Sequence, residues 1–268
     1  MILVLGIAIA LAAALRSTWS PCGLSMLSQL TPLAEAGRQR RFARTAGWYI
    51  AGATLGGLTL GCAMAGGALA LSAAGLGTRA AIMLVAACAL VSAAVDANVA
   101  GAGPPWLRRQ VNADWLAQYR PWVYGGGFGW QIGVGITTYV MTAAVPLMIV
   151  AGMLSGRAAT ALLIGGGFGL ARGFAVLIGA RVRTPDALYA LHRRFDAWAS
   201  PVRQAVIGVQ LAVAVAATWT VAPAPIAIGL TVAAAAVTTV VVVSRIAAQA
   251  SSAAEPPSVI ERYISGRR

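Results

Sequence analysis

Leu15-Arg16-Ser17-Thr18-Trp19-Ser20-Pro21-Cys22-Gly23-Leu24 decides how this chain is read. An apolar run from Ile2 leads into it, long enough with it to span a bilayer, and Ser20-Pro21-Cys22 cuts that run at membrane depth. A proline inside a helix removes one backbone hydrogen bond and clashes with the carbonyl four residues back, here Ser17. In lipid such a break survives only where protein or trapped water satisfies the freed groups. Cys22 is therefore placed in a protein-lined cavity, with Pro21 opening it and Trp19 and Arg16 beside it.

The rest of the composition agrees with a membrane setting. Of 268 residues, 59% are hydrophobic and only 10% charged, and the mean hydropathy is +0.77. Soluble domains carry about 25% charged residues. The fold class read from this is an all-α polytopic membrane helix bundle. About seven spans are drawn, at 2–34, 46–74, 79–100, 122–152, 158–180, 203–221 and 225–245. The bundle occupies 1–246. The polar tail 247–268, with Pro256 and Pro257, is read as poorly ordered and cytoplasmic.

The net charge of +13 is carried by 20 arginines and no lysine. Nucleic acid is not the reading, because the arginines sit in short loops. Arg38, Arg40, Arg41 and Arg44 follow the first span, Arg108, Arg109 and Arg120 the third. Arg181, Arg183, Arg193, Arg194 and Arg203 precede the sixth, and Arg245, Arg262, Arg267 and Arg268 end the chain. These 16 fall on one side, against Arg79 and Arg157 on the other. The positive-inside bias then puts the N-terminus outside and the C-terminus in the cytoplasm, in a plasma membrane. Met1–Leu15 lacks a basic leader segment and is read as the start of the first span.

Two segments are too long for one straight crossing. The first has Pro21 to break it. The fourth, 122–152, has Gly125-Gly126-Gly127, Gly129, Gly133 and Gly135. Loop 181–202 is read as carrying a short amphipathic helix capped by Thr184, with Leu188, Leu191, Phe195 and Trp198 on one face. Trp106, Trp115, Tyr119 and Trp122 read as an aromatic belt. Glycines at 52/56, 57/61 and 165/169/173 form small-residue faces for close helix packing. Gly37-Arg38 and Gly156-Arg157 stand at matching places, which suggests inverted three-helix pseudo-repeats over about 1–100 and 122–221, with 225–245 as an extra helix.

Three cysteines, Cys22, Cys62 and Cys88, all lie in apolar stretches. An odd number in such places is no disulfide framework. His192 is the one histidine, so no metal or cofactor is inferred. By depth, Cys62 and Cys88 belong to the outer half and away from Cys22, and both read as small buried hydrophobes.

The segment Ser20-Pro21-Cys22-Gly23-Leu24 at the start of such a bundle resembles the cytochrome c biogenesis CcdA and DsbD transmembrane family, within a LysE-like superfamily. The resemblance covers about 220 residues in architecture but only 20–24 in motif. It implies a carrier that passes reducing equivalents from a thioredoxin-like protein across the membrane, with Cys22 as the thiol. Two departures stand out. Ser25 and Ser28 replace the prolines expected after the cysteine, and the fourth span, 122–152, has no cysteine. Thiol-disulfide exchange passes through a mixed disulfide that a second thiol resolves, so Cys22 would need a partner's thiol.

Arg16, Asp96 and Arg172 are the charges within spans. A charge at that depth faces the protein interior and finds a partner, so Asp96 is expected to pair with Arg16 or Arg172. Arg16 is also the candidate stabiliser of an anionic Cys22. Three functions stay open from sequence: a one-thiol redox carrier, a small-solute exporter or permease of LysE-like architecture built on the three charges, and a non-catalytic membrane assembly subunit.

Overall fold

A hydroxyl residue followed by proline starts three of the helices. The hydroxyl accepts a backbone N–H two or three residues on, and proline at the first helical position has no N–H to leave unpaired. In the computed structural model, which describes residues 1–99 and 120–254, α1 (Ile2–Ser17) ends just before such a signal. The Ser20 hydroxyl accepts the Gly23 N–H at 3.2 Å and opens α2 (Pro21–Gln29). Thr31 does the same for α3 (Pro32–Gly37) by accepting from Ala34 at 3.1 Å. Thr184 opens α9 (Pro185–Val221) by accepting from Ala187 at 3.2 Å. Helices α1 and α2 meet at a bend of 67°. Gly23 is needed there, because a Cβ at this position would collide with the Thr18 carbonyl.

The other helices are α4 (Phe42–Ala73), α5 (Thr78–Ala97), α6 (Pro121–Val134), α7 (Ala144–Met153), α8 (Ala158–Phe174) and α10 (Ala224–Ala254). A 3₁₀ segment, Ala175–Arg181, prolongs α8. Among the described residues there is no strand. Four helices (α4, α5, α8 with its 3₁₀ extension, and α9) are long and apolar enough to cross a membrane, and the bent pair α1–α2 makes a fifth. The protein is thus an α-helical membrane protein. Helices α6 and α7 are separated by an irregular stretch that starts at Gly135, whose φ of 75° suits glycine.

Helix α4 stands between α6 and α8 and packs most heavily on both. Its glycines make this possible. Gly52 and Gly56 lie against the backbones of Gly126 and Trp130 on α6, and Gly57 against Gly165 and Gly169 on α8. Gly129, Gly133 and Gly169 return the approach onto Tyr49 and Ala53 of α4. A Cβ at any of these would strike backbone atoms. The glycine faces read from sequence are therefore seams within the chain. Backbones that touch in this way gain dispersion and weak Cα–H···O contacts where lipid gives no hydrophobic drive.

Two sequence expectations need correction. The short helix placed in loop 181–202 and the span 203–221 are one helix of 37 residues, with Pro201 inside it. The charged residues end the apolar run without ending the helix, and one proline leaves all but one of the i→i−4 bonds intact. At about 1.5 Å per residue, α9 is far longer than the roughly 30 Å hydrocarbon layer, so one end extends beyond it. Helix α10 also carries past 245, to Ala254. Arg108, Arg109, Trp106, Trp115, Tyr119 and residues 255–268 lie outside the described residues. Trp122 is described and exposed.

Candidate functional site

Three polar places lie inside the bundle, each created by a break in a helix. The first is built on Cys22. As the second residue of α2, it sits at the helix N-terminus, where the helix dipole gives a positive local potential. Its side chain is 1% exposed, among Met26, Leu27, Tyr49 and Ile132. The Arg172 guanidinium, buried on α8, lies near both Cys22 and Tyr49. Arg172 donates to the Ser17 carbonyl at 3.3 Å, one of the acceptors freed by the break. Its guanidinium also lies over the Phe168 ring, 5.7 Å from the centroid. The Tyr49 hydroxyl is buried and has no hydrogen-bond partner among the described residues. Trp19 closes one side, donating to the Phe195 carbonyl at 2.8 Å and stacking on that ring at 4.6 Å. Ser28 meets His192 at 3.0 Å across the same junction. The amphipathic start of α9 therefore covers the broken helix.

The second place is built on Asp96, at the end of α5. Its Oδ1 accepts the Ala143 N–H at 2.8 Å. Its Oδ2 accepts from Thr142 Oγ1 at 2.5 Å and from Gln210 Nε2 at 2.8 Å. Asp96 thus caps the N-terminus of α7 from another helix, and so closes the gap between α6 and α7. The expected ion pair does not form. The one salt bridge among the described residues is Arg38–Glu35, and the Asp96 carboxylate is held by neutral donors instead. Arg16 shares a cavity of about 300 Å³ with Asp96, Asn98, Tyr139, Met141, Arg203 and Val206. It is Arg172 that lies near Cys22, whereas Arg16 lies on the Asp96 cavity. Three intramembrane charges of similar depth are thus split between two places.

The third place surrounds Glu35, which is completely buried. Its carboxylate accepts from Tyr124 at 2.6 Å, Thr45 at 2.5 Å and Arg38 at 3.1 Å. Arg40 lies over the Tyr124 ring at 5.4 Å. This network ties α3 to α4 and α6. Sequence reasoning missed it, although Glu35 is the first acidic residue of the chain and stands alone in an apolar stretch. It also missed Tyr49, Thr142, Gln210 and Arg203.

None of the three cysteines forms a disulfide. Cys22 is buried as expected, and Cys88 packs against the main core. Cys62 is exposed on the outside of the bundle, against the expectation of burial. The α6 and α8 seams occupy the glycine faces of α4, and Cys62 falls off both. Among the described residues, no group of three His, Cys, Asp or Glu side chains could hold a metal ion.

Sequence comparison gives one kind of relative. The chain is 35% identical over 171 residues to the methylamine utilization protein MauF of Paracoccus versutus, covering 63% of this chain and 62% of that one. It is 33% identical over 183 residues to MauF of Paracoccus denitrificans, covering 66% and 64%. MauF of Methylorubrum extorquens is 29% identical over 160 residues, covering 59% of this chain and 56% of that one. The chain thus matches just under two thirds of the length of these curated relatives. No family model matches it. No solved structure matches it either.

Proposed function

We propose that this protein is a MauF-like accessory membrane protein of methylamine utilization, and that its working group is the Cys22 thiol. The design is that of the CcdA and DsbD carriers: seven spans, two inverted pseudo-repeats each opened by a broken segment, and N-terminus outside. The observation that carries the reading is the position of Cys22. It is the one cysteine at a helix N-terminus inside the protein, with the buried Arg172 guanidinium nearby. Sulfur attacks a disulfide as its anion, and both features place positive potential at that sulfur.

The chemistry balances with one protein thiol. The Cys22 sulfur attacks one sulfur of a partner's disulfide, forming a mixed disulfide and releasing the partner's other sulfur as a thiolate. One thiol of a second, dithiol partner then attacks the first partner's sulfur in the mixed disulfide and releases Cys22, and its other thiol displaces that sulfur in turn, so that the first partner leaves as a dithiol and the second as a disulfide. No net oxidation falls on the membrane protein. Tyr49 and Trp19 shape the pocket, and Pro21 keeps it open.

The test has two arms. Expression in Paracoccus denitrificans lacking MauF should restore growth on methylamine. Trapping with a partner whose resolving cysteine is changed should give a mixed disulfide that Cys22→Ser abolishes. Growth restored equally by Cys22→Ser, with no adduct from either form, would remove the thiol from the reading and leave an accessory subunit.

A further inference from the structure

The cavity beside Asp96 carries a charge imbalance that the thiol reading does not use. Its charged lining groups are two guanidiniums, Arg16 and Arg203, and one carboxylate, Asp96. The carboxylate is already occupied on both oxygens, by Ala143, Thr142 and Gln210. Arg203 donates its Nε to the Asp96 backbone carbonyl at 2.8 Å, which fixes the guanidinium at the cavity wall. Among the described residues neither arginine forms a salt bridge, and no hydrogen bond engages the Arg16 guanidinium. Asn98, held in the left-handed conformation at φ 60°, and Tyr139 add neutral hydrogen-bonding groups. A volume near 300 Å³ is at the small end of ligand sites.

We propose that this cavity binds one small oxyanion, a carboxylate or a phosphate group, between Arg16 and Arg203. A guanidinium without a carboxylate partner attracts an anion, and its planar fork matches such an anion in two-point hydrogen bonding. A cation is disfavoured, because two positive groups face it and the one negative group is taken. Asp96 fixes the site's geometry and does not bind the anion. The phosphate form has two sources, a free anion or a lipid headgroup.

The experiment uses the full chain purified in detergent and in phosphatidylcholine nanodiscs. Inorganic phosphate and acetate serve as soluble probes by equilibrium dialysis, and retained phosphatidylglycerol per protein serves as the lipid probe. One equivalent of one probe is expected. Arg16→Gln should weaken it about tenfold, the loss of one charged hydrogen bond. Asn98→Asp adds a negative charge to the lining, suits the same left-handed backbone, and should weaken it similarly. It keeps the test open if Arg16→Gln misfolds. Arg157→Gln, in the loop between α7 and α8, should bind normally, and so should Cys22→Ser, which separates this test from that of the thiol. Saturable phosphate or acetate binding identifies a free anion, and retained phosphatidylglycerol lost in both variants identifies a headgroup. Binding of no probe, or binding unchanged by Arg16→Gln and Asn98→Asp, overturns the proposal.

Discussion

The chain breaks its transmembrane path twice, and the two breaks are closed by opposite means. At the first, between α1 and α2, the parts come from neighbouring residues. Ser20 caps, Pro21 brings no N–H that would need an acceptor, Gly23 leaves room for the Thr18 carbonyl, and Thr18 Oγ1 bonds back to Ala14 at 3.1 Å. From afar, Arg172 reaches in to the Ser17 carbonyl, and Phe195 accepts from Trp19. At the second, between α6 and α7, the closing group comes from another helix. Asp96 of α5 holds Thr142 and the Ala143 N–H, and Gln210 of α9 holds Asp96. A locally closed break can form as the helix forms. A break closed at long range is stable only once α5, α7 and α9 have docked.

That difference sets the expected order of mutational effects, read as unfolding in mild detergent against SDS. Asp96→Ala should be the most damaging, at about 3–5 kcal/mol, because three buried donors lose a charged acceptor together. A loss as small as that of a surface substitution would mean the second break is not held by α5. Glu35→Gln should follow, at about 1–3 kcal/mol. Its amide keeps one acceptor oxygen but turns a donor toward Tyr124, Thr45 or Arg38. Thr142→Val should cost about 1–2 kcal/mol and expose the Ala143 amide to hydrogen exchange, since the cap would lose its hydroxyl arm. Ser20→Ala should cost least, about 1 kcal/mol, the usual loss of a single N-cap. Equal losses for Ser20→Ala and Asp96→Ala would erase the contrast.

The same contrast explains how much could be read from sequence. Ser20-Pro21, Thr31-Pro32 and Thr184-Pro185 are local signals, and each marks a helix start in the structure. The glycine spacing of α4 and α8 is also local, and it gave the right seams. The second break was legible only as an overlong glycine-rich segment, because its closing carboxylate lies 47 residues away from Ala143. Depth along each span brought Arg16, Asp96 and Arg172 to one level but carried no rotation about the helix axes. Arg172 consequently went unassigned to Cys22, and Asp96 was given an ionic partner where the structure supplies Thr142, Gln210 and an amide. Glu35 was hidden by the arginines after it, which read as a solvated loop, although its side chain turns inward to Tyr124.

The glycine seams also limit how the molecule can move. Helices whose main chains abut, with no side chain between them, leave little slack for sliding, so α4, α6 and α8 behave as one slab. Any path by which a bulky partner reaches the buried sulfur must therefore open elsewhere. One nearby seam built on side chains is the Trp19–Phe195 stack with the Ser28–His192 contact, both between the kinked first helix and the front of α9. The door to the thiol hangs on aromatic and imidazole groups, and the frame around it is made of glycine.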